Sequence, residues 1–147
     1  PVSWMQTLMV TLAGGSPAWL DANPGGGWAQ VTIEQVAAWD PGLILIIAYA
    51  EDPSLVTDQL KQDPQWQLLR AVKEGHLFGF PKDVYSWDQP DTRWLLGLKW
   101  LAARLHPTEF GQVDVLRTAR EFYQSAYGIS ADVYDANILP ITQGDLD

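Results

Sequence analysis

The segment Leu43-Ile44-Leu45-Ile46-Ile47 constrains the fold of this chain more than any other feature. Its five residues are all apolar, so both faces of a strand built from them need cover from water. Continuous apolar runs of this length are typical of parallel strands buried between helices, whereas half-exposed antiparallel strands alternate apolar with polar residues. The segment therefore predicts a buried parallel strand, and with it a fold of the α/β class.

Helical patterns alternate with this strand along the chain. Apolar residues at helical spacing predict a helix over 4–12 and a last helix over 115–126. A second short strand is predicted over 76–80. Capping and proline signals place the remaining helix starts at Thr32, Asp52, Asp63 and Pro90 or Asp91.

The order strand, helix, strand, helix predicts a right-handed α/β unit. We expect a three-layer lobe in which a small, mostly parallel sheet is flanked by helices. Because two strands are few for a sheet, we expect a further strand or a partner lobe upstream of Pro1. Residues 1–140 are assigned to the lobe, and the polar, acidic residues 141–147 are expected to form a frayed tail.

Charge and side-chain chemistry exclude several classes of function. Nine basic and eighteen acidic residues give a net charge of −9, which repels nucleic acids. The sequence has no cysteine, and its only histidines are His76 and His106, so it offers neither a thiol nor a histidine-rich zinc site. No apolar run reaches the ~20 residues needed to cross a bilayer. We therefore predict no metal site and no resident cofactor.

Carboxylates near the two strands keep an enzyme open as one alternative. Glu51 and Asp52 follow the apolar strand, where α/β folds place ligands, and Asp88 lies in the loop after the second strand. A small α/β hydrolase or phosphotransfer enzyme would use such groups as acid, base or phosphoacceptor. The competing interpretation of Asp52 is a helix N-cap, since Pro53 follows it.

A high tryptophan content suggests a second alternative. Eight tryptophans are more than one core of this size needs, so some of them should line a groove or an interface. A tryptophan-rich domain that binds a protein partner would satisfy this expectation without any small-molecule site.

Several short motifs resemble, in order and spacing, the C-terminal lobe of helical-backbone substrate-binding proteins. These proteins serve ABC importers of ferric siderophores, haem and cobalamin. The resemblance extends from Trp4 to about Ile129 and rests on an ordered set of segments rather than on any single one. They are Ala13-Gly14-Gly15, the run from Gly26 to Val36, Asp40-Pro41-Gly42 with the apolar strand, Ala71 to Pro81, and Tyr85 to Pro107.

The resemblance implies a binding module without catalysis, whose ligand lies between two lobes. This chain would be the C-terminal lobe, and the N-terminal lobe would be missing from it. Trp28 matches a ligand-facing position on a glycine-rich loop, where a large rigid apolar face suits a macrocycle or chelate. Tyr85, Trp87 and Gln89 match the second ligand loop.

The resemblance also implies a membrane partner and a compartment. Glu34 matches the carboxylate that meets an arginine of the ABC transporter permease, although its place in the first turn of a helix also suits a carboxylate electrostatically. The implied location is the periplasm, or a lipid-anchored position outside a single membrane.

The ligand class follows from one departure from the family pattern. Where some members carry a basic residue for an anionic ligand, this chain has Gln89. Together with the net charge of −9, this favours a neutral ferric hydroxamate or a corrinoid over an anionic ferric catecholate.

Overall fold

The computed structural model describes residues 3–22, 27–111 and 113–147. The predicted glycine-rich loop includes residues 23–26, which lie outside the described residues. The α-helices are α1 (Met5–Leu12), α2 (Ile33–Trp39), α3 (Pro53–Gln62), α4 (Arg70–Lys73), α5 (Trp94–Leu105), α6 (Pro107–Phe110), α7 (Val115–Tyr127) and α8 (Ala131–Asn137). The strands are β1 (Ile44–Ile46) and β2 (Leu77–Gly79), and two 3₁₀ turns cover Trp66–Leu68 and Leu139–Ile141.

The two strands form a parallel pair, as the sequence predicts. Ile44 is opposite Leu77, and Ile46 is opposite Gly79. The segment between the strands holds α3 and α4, which is the crossover connection that a parallel pair requires.

Helices cover both faces of this small sheet. On one face α3 packs so closely that a Cβ added at Gly79 would lie 2.5 Å from the carbonyl carbon of Pro53. On the other face Phe78 and Phe80 contact the indole of Trp100 in α5, with ring centroids 6.4 and 5.0 Å apart. The three layers are therefore α3, the sheet and α5, which confirms the predicted α/β lobe.

The hydrophobic core lies on the α5 side of the sheet. Helices α1 and α7 both pack against α5. Residue 97 is glycine because a Cβ there would lie 2.5 Å from the carbonyl oxygen of Trp87 and 2.8 Å from Cε of Met9. The buried core cluster contains Met9, Ala13, Phe80, Trp87, Leu96, Trp100, Leu101, Val115, Ala119, Tyr123 and Tyr134.

Strand β1 is less buried than its sequence predicts. Residues 43–47 are all partly exposed, whereas Leu77 of β2 is fully buried. Among the described residues β1 pairs with β2 alone, so the second edge of β1 has no strand beside it. The residues of β1 are therefore partly open to solvent along this unpaired edge, although helices cover both faces of the sheet.

Of the four predicted helix starts, those at Thr32 and Asp52 are correct, whereas α5 begins at Trp94 rather than at Pro90 or Asp91, and Asp63 does not open a regular α-helix. The side chain of Thr32 accepts a hydrogen bond from the amide of Gln35, and that of Asp52 accepts one from the amide of Ser54. Asp63 caps in the same way, but the turn that follows is a 3₁₀ turn. The helix predicted to start at Asp63 is broken there, because Leu69 is extended and buries its side chain before α4 begins.

The end of the chain differs most from its prediction. The sequence predicts a frayed tail over 141–147, but Gln143 exchanges two backbone hydrogen bonds with Lys82, at 2.8 and 3.0 Å. Asp145 bonds Gly79 twice, through its amide at 2.9 Å and through its carboxylate at 2.6 Å. The tail thus continues the packed lobe beside the end of β2. Helix α8, which the sequence analysis missed, leads into it.

Candidate ligand-binding site

The two loops that follow β1 and β2 lie at the same edge of the sheet. Because the strands are parallel, their carboxyl ends meet there, which is where open α/β sheets place ligands. The amide of Phe80 bonds the carbonyl of Ile46 at 2.8 Å, so the two loops diverge from adjacent points. Residues 47–52 form the first loop and residues 80–93 the second.

A buried lysine joins the two loops. The ammonium group of Lys82, in the second loop, donates to the carbonyl oxygens of Tyr49 at 2.7 Å and Glu51 at 3.3 Å in the first. The Lys82 residue is 9% exposed. Its charge is therefore used inside the protein, where it holds the first loop against the second.

A buried carboxylate braces the second loop internally and anchors it to α7. Asp83 accepts hydrogen bonds from the guanidinium of Arg93 at 2.8 Å, the indole of Trp87 at 2.9 Å and the hydroxyl of Tyr123 at 2.7 Å. Burial lowers the pKa of Arg93, but its bonds to Asp91 and the charges of Asp83 and Asp91 outweigh burial and raise that pKa overall. Arg93 is therefore a structural cation.

The position of Trp87 corrects one part of the predicted ligand set. Its side chain is 1% exposed and belongs to the core, whereas Tyr85 is 63% exposed. The two rings would point the same way only on an extended loop, and this loop turns sharply between them so that Asp83 can bond the indole. Trp87 supports the loop from below and does not face solvent.

A second carboxylate, Asp88, organises the polar part of the edge. One of its oxygens accepts hydrogen bonds from the side-chain amide of Gln6 at 2.7 Å and from the hydroxyl of Tyr49 at 3.0 Å. The amide nitrogen of Gln89 lies 3.0 Å from the Tyr49 hydroxyl and 3.3 Å from the other Asp88 oxygen. These four side chains, Gln6, Tyr49, Asp88 and Gln89, form what we call the Asp88 cluster.

Tyr49 was not among the predicted site residues. It lies two residues after the apolar segment, and this position alone could have identified it, since α/β folds place ligands after the carboxyl ends of strands. Its ring is half exposed, and burial together with the charge and hydrogen bond of Asp88 raises the pKa of Tyr49 to about 12. The hydroxyl therefore stays protonated at neutral pH and can donate to Asp88.

Trp28 is the most exposed of the predicted aromatic ligands, at 67%. Its ring meets that of Trp4 edge to face, with centroids 5.8 Å apart. Trp4 immediately precedes α1, and Gln6 in the first turn of α1 contacts Asp88. The start of α1 therefore links Trp28 to the Asp88 cluster.

Glu34 lies in the first turn of α2 and is exposed. A hydrogen bond from Thr32 and one from its own backbone amide lower the pKa of Glu34, so its carboxylate is charged at neutral pH. Helix α2 runs toward the amino end of β1, which begins five residues after the helix ends. Glu34 thus lies at the end of α2 that is farther from the start of β1.

Of the two carboxylates that follow β1, Asp52 has a structural role and Glu51 is exposed. One oxygen of Asp52 accepts from the amide and hydroxyl of Ser54 and from the amide of Gly144, which makes it a cap for α3 and a clamp for the chain end. The side chain of Glu51 is exposed. In the described part of the chain no group of three or more acidic or histidine side chains is arranged to hold a metal ion.

A surface depression of about 390 Å³ lies at the opposite, amino edge of the strands and is therefore separate from the ligand loops. It is lined in part by Asp40, Arg70 and Glu74. Among residues 3–22, 27–111 and 113–147, no helix is both long enough and apolar enough to pass through a membrane.

Comparison with known proteins identifies the family. The sequence pattern of the family described as periplasmic binding protein matches residues 2–84, more than half of the chain. The chain belongs to the periplasmic binding protein family. This membership supports the predicted binding module over the enzyme alternative.

Individual family members show the same likeness. The chain is 33% identical to the molybdate-binding protein MolA of Haemophilus influenzae over 105 residues, which are 71% of this chain and 29% of MolA. The solved structure of MolA bound to molybdate superposes with a TM-score of 0.67 at 30% identity, covering 86% of this chain and 38% of MolA.

Two other solved structures share the fold. A periplasmic solute binding protein from Veillonella parvula has a TM-score of 0.69 at 26% identity and covers 86% of this chain and 38% of its own. An ABC transporter solute binding protein from Sulfurospirillum deleyianum, at 24% identity, has a TM-score of 0.61 and covers 87% and 39%. The chain therefore spans between 29% and 39% of the length of these relatives.

Proposed function

We propose that this chain forms the C-terminal lobe of the substrate-binding protein of an ABC importer, and that the carboxyl edge of its sheet is one wall of the ligand cleft. The observation that carries the proposal is the set of exposed aromatic rings at this edge in a member of the periplasmic binding protein family. Rigid aromatic faces bind large ligands at low cost in conformational entropy. The proposed ligand residues are Trp28, Tyr49, Tyr85 and Gln89.

The charges of the two loops support an uncharged metal chelate as the ligand. Of nine lysines and arginines, only Lys82 and Arg93 lie in these loops, and both have partners inside the protein. The loop that carries Trp28 has no basic residue between Ala13 and Val31. This wall therefore offers no free cation to an anionic ligand. We infer a ferric hydroxamate siderophore or a corrinoid rather than a ferric catecholate; haem, whose two propionates are anionic, is disfavoured by the same argument.

A molybdate ion is the second candidate ligand. The observation that favours it is the likeness to MolA, a protein whose bound molybdate is seen in its structure. A site for this oxyanion would have to bind it through neutral donors of this lobe or through groups of the other lobe, since both loop cations are already paired.

The membrane partner completes the proposal. Glu34, exposed and charged, would meet a basic residue of the ABC permease, while the ligand lies between this lobe and an N-terminal lobe. The protein would work in the periplasm, or anchored by a lipid outside a single membrane.

Tryptophan fluorescence tests the ligand class. The full-length protein is titrated with a neutral ferric hydroxamate, a ferric catecholate, haem, a corrinoid and molybdate. Absorbance controls correct the fluorescence for light that the ligands absorb. We expect saturable quenching by the hydroxamate or the corrinoid, and about tenfold weaker binding in Trp28→Ala, the loss expected when a central aromatic contact is removed.

Trp39→Phe is the matched control, because it removes a tryptophan from the far end of α2 and keeps an aromatic side chain there. Its affinity should equal that of the wild type. If molybdate alone binds, the ligand is the oxyanion and not a metal chelate. If catecholates alone bind, the charge argument is wrong. A flat response to all five probes would contradict the importer proposal and favour the protein-interaction domain.

A further inference from the structure

The Asp88 cluster contains a carboxylate that no ligand can reach directly. Asp88 is 1% exposed and lies beneath Tyr49 and Gln89. Among the described residues, its side-chain donors are all neutral: the amides of Gln6 and Gln89 and the hydroxyl of Tyr49. A buried carboxylate without a cationic partner is costly unless its oxygens are fully hydrogen-bonded, so it holds strongly to these donors.

This arrangement determines which end of the Gln89 amide faces outward. Its nitrogen lies 3.0 Å from the Tyr49 hydroxyl and 3.3 and 3.4 Å from the two Asp88 oxygens, so both of its hydrogens have acceptors within the cluster. The Tyr49 hydroxyl donates to Asp88 and accepts from Gln89, so it is also used within the cluster. The side-chain carbonyl oxygens of Gln6 and Gln89 accept no hydrogen bond within the cluster, so the cluster leaves only pure acceptors for a ligand, among them the carbonyl oxygen of Gln89.

We propose that Asp88 is a positioning residue that makes this wall of the cleft select ligands bearing hydrogen-bond donors, by holding Gln89 with its carbonyl oxygen toward the cleft. The inference rests on the proposed function and adds a selectivity rule to it. Amide N–H groups at the edge of a neutral chelate satisfy such an acceptor. Molybdate at neutral pH presents acceptor oxygens only, so it cannot form a hydrogen bond with the Gln89 carbonyl oxygen. The negative charge of Asp88 behind Gln89 also repels it.

The variant Asp88→Asn tests this rule because it keeps the size of the side chain and changes its hydrogen-bonding. An asparagine amide can donate to the Gln89 carbonyl, which frees the Gln89 nitrogen to turn outward. The probes are a neutral ferric trihydroxamate with amide N–H groups at its edge, the same chelate with those nitrogens methylated, and molybdate. The first two carry the same charge, so the ratio of their affinities reports the hydrogen bond rather than the charge.

We expect the wild type to prefer the N–H chelate by about three- to tenfold, the range of one net hydrogen bond. In Asp88→Asn this ratio should fall to about one, and molybdate should bind more tightly than to the wild type. Tyr49→Phe, a change at a half-exposed position, should reduce the ratio in the same direction, because it removes one of the groups that hold the Gln89 amide.

Glu51→Gln is the control for net charge. It removes the same charge from the same edge of the sheet, and in the described part of the chain no hydrogen bond joins the exposed side chain of Glu51 to Gln89. Its affinity ratio should equal that of the wild type. A ratio that is unchanged in both Asp88→Asn and Tyr49→Phe, or that falls equally in Glu51→Gln, would overturn the inference while the importer proposal stands. If the wild type binds none of the probes, the proposed function is wrong and the selectivity rule falls with it.

Discussion

Tyr85 and Trp87 are both aromatic and lie two positions apart in the second loop, but one is exposed and the other is buried. Tyr85 is open to solvent and lies 5.4 Å from the Arg93 guanidinium, whereas Trp87 is part of the core. Asp83 decides this difference, because its hydrogen bond to the indole draws Trp87 inward and its ion pair holds Arg93 in place. The residue types of a ligand loop could be predicted, but not their directions, since a partner from α7 completes the anchor.

The pH dependence of Tyr49 is a prediction at the scale of one residue. Burial and Asp88 raise the pKa of Tyr49 to about 12, above the ordinary value of 10.0. Because the folded protein holds this proton more tightly than the unfolded chain, the stabilisation is complete below pH 10 and is lost as pH rises toward about 12. Ring resonances of Tyr49, assigned by their loss in Tyr49→Phe, should show no titration up to pH 10.

Asp88→Asn tests the cause of that shift. Since the charge and hydrogen bond of Asp88 act together with burial, the variant should lower the pKa of Tyr49 toward the ordinary value without reaching it. A wild-type Tyr49 that titrates at its ordinary pKa would mean that the Asp88 bond is not formed in solution.

At the scale of elements, the C-terminal segment 141–147 packs against β2 and α5, which its polar composition does not predict. The sequence 141–147 is short and polar and predicts a frayed end, yet its backbone pairs with residues beside β2. Trp100 and Arg104 of α5 both donate to the carbonyl of Asp145, at 2.6 and 3.0 Å. The segment thereby ties β2 to α5 behind the ligand loops.

Asp145→Ala measures how much this segment contributes. The variant removes the carboxylate that accepts from the buried amide of Gly79 at 2.6 Å and leaves that donor without its partner. A buried donor without a partner costs about 1–3 kcal/mol, so the free energy of unfolding in urea should fall by about that amount. Glu121→Ala, on the exposed side of α7, removes one charge as well and should change the free energy little. Equal losses in both variants would show that charge, not the Gly79 contact, is responsible.

At the scale of the whole molecule, the parallel pairing of β1 and β2 is what brings the candidate site together. Tyr49 and Gln89 are 40 positions apart in the chain, yet their side chains lie 3.0 Å apart at the carboxyl edge. The same topology leaves one edge of β1 without a strand among the described residues.

The docking role of Glu34 is a prediction about the whole assembly. In the full-length protein, Glu34→Ala should leave ligand affinity unchanged and abolish uptake through the cognate permease, because the ligand loops do not contact this side chain in the proposal. Fluorescence titration and uptake of the labelled ligand measure the two effects separately. Glu121→Ala, another exposed carboxylate on a helix, should retain uptake. Uptake that survives Glu34→Ala would refute the docking assignment.

The sequence by itself determined the features that depend on local chemistry and periodicity. An unbroken apolar run predicts a parallel strand, caps such as Thr32 and Asp52 open helices, and ordered motifs indicate the family. Each of these signals lies within a few residues, where the spacing of side chains and the needs of free backbone amides suffice.

Only the tertiary structure decided which groups meet and which are left for a ligand. Trp87 turns inward because Asp83 accepts its indole hydrogen, and Tyr49 joins the site because the strands are parallel. The C-terminal segment packs beside β2 because the Asp145 carboxylate accepts the amide hydrogen of Gly79. These outcomes depend on contacts between segments far apart in the chain. The hydrogen-bonding of buried polar groups must be completed by whatever partner the fold brings near, and residue spacing does not encode that partner.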